Sequence, residues 1–293
     1  MGGAGRFDRK VRAKRVANRV LAAAGYAGAL PLWAGLRGHL VVLTYHSVSP
    51  GRAHEMNVAP DAFAQQMVYL AERHRVLSPA AAAGELSEGR PGVCITFDDG
   101  YASVVEHALP VLTRLDLPAA MYVATGYIGS GRTYAHDAGD DHEYNRLVDW
   151  GDLSAWLGEG MELGAHTVSH ARLSSLPPAE AAAEISESRA QLLDRLGVTV
   201  SGFAYPYGSA ADFTPRVRSE VIDAGFDYGL TDIYGRNGRG ADRFALRRIW
   251  VDASDGLGSF AAKLSGALDG VALLETGPGL ALRRVANRLL RSG

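Results

Sequence analysis

The sequence predicts an α/β protein built on a parallel sheet, because short apolar segments alternate with helical patterns along most of the 293 residues. Turn residues bound the apolar segments, as is typical of buried strands. One helical pattern starts after Pro177 and stops before Gly197, residue types that favour helix termini. The sheet can be open or closed on this evidence. Strands are predicted at 41–45, 93–97, 119–123, 161–165, 201–205, 228–231 and 245–251, and helices at 60–73, 103–114, 178–196 and 215–224.

Composition indicates an ordinary globular protein with one large core, since 47% of the residues are hydrophobic and 21% are charged. Length alone would allow two domains, but the alternation has no long linker, so one barrel-sized domain is favoured. The single cysteine, Cys94, lies in an apolar strand segment. An intramolecular disulfide is therefore excluded, and redox chemistry is not expected.

The charge of the chain is uneven. Residues 1–19 sum to +6 and residues 280–293 to +4, so residues 20–279 sum to −12 within the total of −2. An acidic body would repel phosphates, and a nucleic-acid partner is not expected. The five-residue phrase Arg-Val-Ala-Asn-Arg occurs at 15–19 and again at 284–288. Two basic helices could rest on anionic lipid, although chance repetition explains the phrase equally well.

Two neighbouring carboxylates, Asp98 and Asp99, follow the second predicted strand directly and are followed by Gly100. Alone, such a sequence is usually a turn. Two imidazoles follow a later strand at His166 and His170. If residues 166–170 form one helical turn, both rings lie on one face and can reach a single ion. Two histidines and one carboxylate leave coordination positions open for water, and the second carboxylate is free to act as a base.

These motifs, Thr-Phe-Asp-Asp-Gly at 96–100 and His-Thr-Val-Ser-His at 166–170, resemble the first two motifs of the polysaccharide deacetylase family without a mismatch. That family is defined by the NodB homology domain and is also called carbohydrate esterase family 4. The resemblance runs from about residue 40 to 251. It implies an α/β fold, an irregular (β/α) barrel with about seven parallel strands. Barrel enzymes carry their chemistry at the carboxyl ends of the strands, where both motifs fall.

The resemblance also implies site roles. Asp98 matches the catalytic base of the family, and Asp99, His166 and His170 match its metal ligands. Thr167 matches a hydroxyl residue that ties down the ligand loop. The implied cofactor is one divalent metal ion, with zinc expected first and cobalt or nickel as alternatives.

The third family motif is only partly present. Pro206 and Tyr207 fit it, and the backbone N–H of Tyr207 is the implied oxyanion donor. Ala204 stands where the family has an arginine that orients the catalytic aspartate. Arg248 is the candidate replacement, and a solvent-facing strand arginine is the equal alternative.

A second departure concerns the general acid. The late strand 246–251 lacks the histidine that the family commonly supplies there, whereas His46 directly follows the early strand 41–45. This order is similar to a permuted branch that includes poly-N-acetylglucosamine deacetylases, and it implies that His46 is the acid. The alternative is a histidine at a strand end with a structural hydrogen bond.

The segment 125–150 is rich in Gly, Asp, His and Tyr. A lid facing the substrate is favoured over a second metal cluster, whose members would be His136, Asp137, Asp141, His142 and Glu143. Tyr134, Tyr144 and Trp150 could offer ring faces to a sugar. Core packing is the alternative for Trp150 and Trp156.

We divide the chain into a basic helical extension at 1–39, a NodB-like barrel at 40–270 and a basic tail at 271–293. Residues 20–36 are too short for a spanning helix of about 20 residues. The cytoplasm is the expected compartment, with peripheral membrane contact through the basic termini and export as alternatives. The predicted function is metal-dependent removal of N-acetyl groups from an amino-sugar glycan with release of acetate. Deacylation of a lipid-linked amino sugar and a non-catalytic carbohydrate-binding relic are the alternatives.

Overall fold

Seven parallel strands close into one barrel in the computed structural model of this protein, which describes residues 40–51, 54–137, 142–267 and 269 together with Val11 and Lys14. The closed barrel confirms the predicted fold class and shows that the sheet is closed. The strands are β1 (Leu40–Tyr45), β4 (Gly92–Phe97), β5 (Ala119–Val123), β6 (Glu162–Ala165), β7 (Gly202–Ala204), β8 (Tyr228–Tyr234) and β9 (Leu246–Trp250), and they pair in that order, with β9 returning to β1. A small parallel pair, β2 (Ser47–Val48) and β3 (Asn57–Val58), follows β1.

The helices that cross between strands begin where proline and capping residues place them. Four of them have proline at the first position, where its missing N–H costs nothing. The helix predicted over 103–114 is instead a π-helical turn, Val104–Ala108, followed by a short α-helix. The described helices are α1 (Pro60–Arg73), α2 (Pro79–Glu85), α3 (Leu109–Arg114), α4 (Trp150–Gly158), α5 (Pro178–Leu196), α6 (Pro215–Asp223) and α7 (Leu257–Ser265).

Alternate residues of each strand enter two separate cores. Leu43 and Ile95 belong to the large core under the helices, whereas Val42, Cys94 and Tyr122 belong to a smaller core inside the barrel. Both kinds of position are fully buried, so the strands read as continuous apolar runs. Burial raises the pKa of the Cys94 thiol, which agrees with the expectation that it is not a redox centre.

Tyrosine rings fill the barrel interior where glycine leaves room for them. A Cβ at Gly164 would lie 2.2 Å from Cε1 of Tyr122, and a Cβ at Gly202 would lie 2.4 Å from the ring of Tyr228. The hydroxyl groups of the two tyrosines are 2.9 Å apart and hydrogen bond with each other. The two glycines are thus required by the close packing of this polar pair.

Gly164→Ala is expected to lower the free energy of unfolding by about 1–3 kcal/mol, because an overpacked core must shift the Tyr122 ring. Gly84 in α2 is the matched control, since a Cβ there meets nothing within 4 Å. Gly84→Ala should leave stability unchanged or raise it by up to about 1 kcal/mol through helix propensity. Urea denaturation of both variants measures the difference, and equal midpoints would contradict the packing argument.

The predicted terminal segments lie almost entirely outside the described residues, so the boundaries at 1–39 and 271–293 and the weakly apolar stretch 20–36 stay predictions. Lys14 is described, and its Nζ lies 2.5 Å from Oδ2 of Asp252, just after β9. This contact agrees with an extension that packs on the barrel at this point. Among the residues that the structure describes, no helix combines the length and apolar character that a membrane crossing needs.

Candidate active site

The predicted site residues gather at the carboxyl end of the barrel, each at or just beyond the end of a strand. His46 follows β1, Asp98 and Asp99 follow β4, and His166 follows β6. Asp98, Asp99 and His166 are each at most 4% exposed. The structure therefore brings together at this end of the barrel residues such as His46 and His166, which are 120 positions apart in the chain.

Asp99, His166 and His170 form a three-residue group that could hold a metal ion. The Nε2 atoms of His170 and His166 lie 3.2 Å and 3.5 Å from Oδ1 of Asp99, and the three candidate ligand atoms all lie within 4.8 Å of one another. Oδ1 of Asp99 is buried and has no hydrogen-bond partner among the described residues. Orphaned buried carboxylate oxygens are costly, and a cation between the three atoms would satisfy this one.

The orientation of His166 supports the same conclusion. Its Nδ1 lies 2.7 Å from the carbonyl oxygen of Ala204, which can only accept, so Nδ1–H donates. In the neutral ring that a metal ligand must be, Nε2 then carries the lone pair and faces Oδ1 of Asp99, an arrangement that is usual in metal sites. Two nitrogen donors and one oxygen donor suit zinc, cobalt or nickel.

The histidines do not share a helical turn, and that part of the sequence prediction is wrong. Residues 166–170 form a loop in which Thr167 and His170 have left-handed backbones, with φ of 67° and 57°. Asp99 also has a positive φ, 69°. Such conformations cost about 1–3 kcal/mol each for ordinary residues and concentrate at functional sites. The hydroxyl of Thr167 is buried and has no partner among the described residues, so the hydroxyl tie implied by the family resemblance is not formed here.

Arg248 faces the barrel interior, not solvent, and it pairs with Asp98. The guanidinium is 0% exposed; its Nη1 donates to Oδ1 of Asp98 at 2.8 Å and its Nη2 to Oδ2 at 2.6 Å. Burial is the largest single influence and would raise the pKa of Asp98, but the charges of Arg248 and His166 and the hydrogen bonds from Arg248 together outweigh it and lower the pKa. Arg248 of β9 thus makes the contact with Asp98 that the family resemblance assigns to an arginine at position 204.

Asp232, a residue not predicted from the sequence, completes this network. Its Oδ1 accepts from Nη2 of Arg248 at 2.5 Å, so the guanidinium is shared between two carboxylates. Thr44 and Thr231 take further N–H groups of the same arginine. Burial raises the pKa of Asp232; Arg248 opposes this effect and Asp98 adds to it. Asp232 could have been identified from the sequence, because it directly follows the predicted strand 228–231, as the other site residues follow theirs.

His46 and Tyr207 flank the metal group. His46 is partly buried and close enough for its charge to act on Asp98 and Asp99. Within the described part of the chain its ring makes no hydrogen bond, so the structural bond considered as the alternative is absent there. Tyr207 has a left-handed backbone with φ of 62°, and its ring lies 5.1 Å from that of His170. The Arg172 guanidinium lies over the Tyr207 ring, with its Cζ 4.0 Å from the ring centroid.

The aromatic residues in and after the segment 125–150 are candidates for rings that could face a sugar, but several of them are buried. Tyr134 is 2% exposed and donates its hydroxyl to the backbone oxygen of Asp99 at 2.9 Å, so it supports the site and cannot stack on a sugar. Trp156 is fully buried in the core. Trp150, at the start of α4, is partly buried and packs against the main core. Tyr144 lies against Gly51.

His136 is the member of the loop that approaches the site. Its ring stacks on Tyr134, and its Nε2 lies 3.1 Å from the Tyr101 hydroxyl and 3.8 Å from Oδ2 of Asp99. Asp137 accepts a hydrogen bond from the same Tyr101 hydroxyl. Asp141 and the side chains of His142 and Glu143 lie outside the described residues. Among residues that are described, Asp99, His166 and His170 are the one group with metal-ligand geometry.

The chain is similar in sequence to known polysaccharide deacetylases. The profile of the family described as polysaccharide deacetylase matches residues 86–229. The chain is 24% identical over 217 residues to YxkH of Bacillus subtilis strain 168, whose name refers to the polysaccharide deacetylases, with 72% of this chain and 71% of that protein covered. It is 27% identical over 142 residues to the poly-beta-1,6-N-acetyl-D-glucosamine N-deacetylase of Staphylococcus aureus strain MSSA476. The match covers 47% of both proteins.

Solved structures show the same fold. IcaB from Ammonifex degensii superposes with a TM-score of 0.65 at 28% identity, covering 79% of this chain and 97% of that one. The Streptococcus pyogenes deacetylase PplD superposes with a TM-score of 0.66 at 22% identity, covering 77% and 97%. Both similarities extend well beyond the segment that the family profile matches.

Proposed function

Because this chain belongs to the polysaccharide deacetylase family, enzymes that hydrolyse N-acetyl amide bonds, we propose that it is a metal-dependent deacetylase of an amino-sugar glycan. The observation that carries the proposal is the orphaned Oδ1 of Asp99 facing the Nε2 atoms of His166 and His170, with the Arg248-bound Asp98 as its neighbour. A buried carboxylate held beside a metal-type donor group is what hydrolysis of an unactivated amide requires.

Asp99, His166 and His170 would hold the ion. The chemistry that such an ion would supply is a lower pKa for a bound water and polarisation of a carbonyl oxygen. The donor set favours zinc, with cobalt and nickel as alternatives. The left-handed backbone at Asp99 turns its carboxylate towards the two imidazoles while the adjacent Asp98 enters the barrel towards Arg248.

Asp98 takes the proton of the attacking water. Both of its oxygens accept from Arg248, which fixes the plane of the carboxylate and keeps it ionised. The backbone N–H of Tyr207 donates to the oxyanion that develops on the amide carbonyl. His46 protonates the departing nitrogen, because an amine is a poor leaving group without a proton.

Acetate release separates this proposal from its rivals. The full chain, loaded with Zn²⁺, is incubated with N-acetylated glycans, starting with poly-β-1,6-N-acetyl-D-glucosamine because the staphylococcal relative is named for it. We expect acetate release that stops after chelation and returns when Zn²⁺ is added back. Binding of a glycan without acetate from any member of the panel would contradict catalysis and favour a carbohydrate-binding relic. Release that survives complete metal removal would contradict the metal dependence.

His46→Ala is expected to slow amide cleavage by about 10²–10⁴-fold, the usual contribution of general acid–base catalysis. Activated esters need little protonation of the leaving group, so their hydrolysis should fall much less. Zn²⁺ affinity should stay at the wild-type value. Amide and ester rates measured on one preparation give the comparison. Equal losses on both substrates, with metal retained, would exclude His46 as the acid and direct the search to His136.

A further inference from the structure

The loop that joins His166 to His170 is held from outside by one carboxylate on α5. Oε2 of Glu184 accepts the backbone N–H groups of Val168 and Ser169 at 2.9 Å and 2.8 Å. Oε1 of Glu184 accepts the hydroxyl of Ser169 at 2.6 Å. Three hydrogen bonds to an ionised acceptor make this a strong local anchor.

The hydrogen bonds to Glu184 hold a part of the loop whose backbone conformation is unfavourable by itself. Thr167 and His170, on either side of the anchored residues, have left-handed backbones that ordinary side chains disfavour. On the opposite side of the loop, the carbonyl groups of Thr167 and Val168 accept from the N–H groups of Thr125 and Gly126. Glu184 therefore satisfies the donors of a loop whose acceptors are held by the segment after β5.

The two histidines depend on this anchor unequally. His166 directly follows β6 and its ring is fixed by the carbonyl of Ala204. His170 is one residue beyond the anchored Ser169 and five residues beyond the end of β6. The position of Nε2 in His170, 3.2 Å from Oδ1 of Asp99, therefore depends on the course of the loop.

We propose that Glu184 is a positioning residue of the metal site, which sets the place of His170 through the backbone of residues 168 and 169. The proposal rests on the proposed function in one respect, that Asp99, His166 and His170 bind a divalent ion. Glu184 itself is not one of the three candidate ligands of the ion. Its contribution is to hold the ligand loop in the shape that the ion requires before the ion binds, so that binding does not have to order the loop.

Hydrogen bonding predicts a specific order among substitutions. Glu184→Ala removes all three bonds. Glu184→Gln keeps a carbonyl oxygen that can accept both backbone N–H groups, and its amide can donate to the Ser169 oxygen. The Gln variant should therefore recover most of what the Ala variant loses. Ser169→Ala removes one of the three bonds and should have a smaller effect than Glu184→Ala.

The test measures Zn²⁺ affinity of the metal-free full chain by competition with a chelator. Glu184→Ala is expected to weaken binding by about 10–100-fold, the usual effect of losing a group that orients a ligand. The visible absorption spectrum of the Co²⁺-loaded protein should change in the same variant, because it reports ligand geometry and not overall stability. Glu187→Ala, an exposed glutamate on the same helix, is the matched control and should keep wild-type affinity and spectrum.

Wild-type affinity and an unchanged Co²⁺ spectrum in Glu184→Ala would overturn the proposal. So would a Gln variant as weak as the Ala variant, since that would assign the effect to charge. If Glu184→Ala does not fold, Glu184→Gln and Ser169→Ala still give the predicted order. A wild-type chain that binds neither Zn²⁺ nor Co²⁺ would overturn the proposed function along with this inference, whereas an unaffected variant of a metal-binding chain overturns this inference alone.

Discussion

Asp98→Asn is expected to lower the deacetylase rate by about 10²–10⁴-fold while the Zn²⁺ affinity stays close to that of the wild type. The amide of Asn cannot take a proton from water, but it fills the same space beside Arg248. Asp98 contributes no atom to the group that Asp99 forms with the two histidines. The loss should therefore appear in kcat, measured as acetate release at saturating metal.

The neighbouring carboxylate provides the matched comparison. Asp99→Asn should weaken metal binding, because the variant loses the anionic oxygen that lies 3.2 Å from His170 Nε2 and 3.5 Å from His166 Nε2. Activity should return in part when excess Zn²⁺ is supplied, which cannot occur for Asp98→Asn. Metal titration and acetate release on both variants distinguish the two roles. The reverse pattern would show that the two aspartates have exchanged functions.

Arg248→Ala is expected to lower the free energy of unfolding by about 3–5 kcal/mol, because it leaves the buried carboxylate of Asp98 and the partly buried carboxylate of Asp232 without their cation. The catalytic rate should also fall, since both oxygens of Asp98 lose their donors. Arg248→Lys keeps the charge but cannot reproduce the two-pronged contact, and it should recover stability more than activity.

Chemical denaturation of the metal-free protein measures the stability effect, since bound metal would add its own stabilisation. Arg247→Ala is the matched control, because the preceding residue is exposed on the other face of β9. The control should change stability by no more than about 0.5 kcal/mol. An Arg248→Ala protein as stable as the control would show that the buried network contributes little to folding.

Much of the barrel was predictable because its strands are covered on both sides. A strand such as β4, buried at every position, leaves a continuous apolar run in the sequence. The metal group was predictable for a related reason, since Asp99 and His166 each sit where an apolar run stops. The small β2–β3 pair and the π-helical turn at Val104–Ala108 were not predicted, because two-residue strands and an altered helical period leave no repeating pattern to detect.

Contacts between distant strands could not be predicted. Arg248 and Asp98 are 150 positions apart, and whether Arg248 turns inward depends on the register of β9 against β1 and β8. The two histidines at 166 and 170 have the spacing of a helical turn. The backbone between them instead forms a loop whose N–H groups donate to Glu184 on a later helix. The polar segment around Tyr134 predicts an exposed ring, but the ring is buried and its hydroxyl donates to the backbone oxygen of Asp99.

By itself, the sequence determined the seven strands of the barrel, their alternation with helices such as α1, α5 and α6, and the two motifs that place Asp99, His166 and His170 after strand ends. These features are local, since burial and turn chemistry act on neighbouring residues. Only the tertiary structure decided that Arg248 pairs with Asp98, that Asp232 shares the same guanidinium, and that Thr167 and His170 have left-handed backbones. Those choices depend on closure of the barrel, which brings buried charges from distant strands within hydrogen-bonding distance, where they must pair because the interior cannot solvate them.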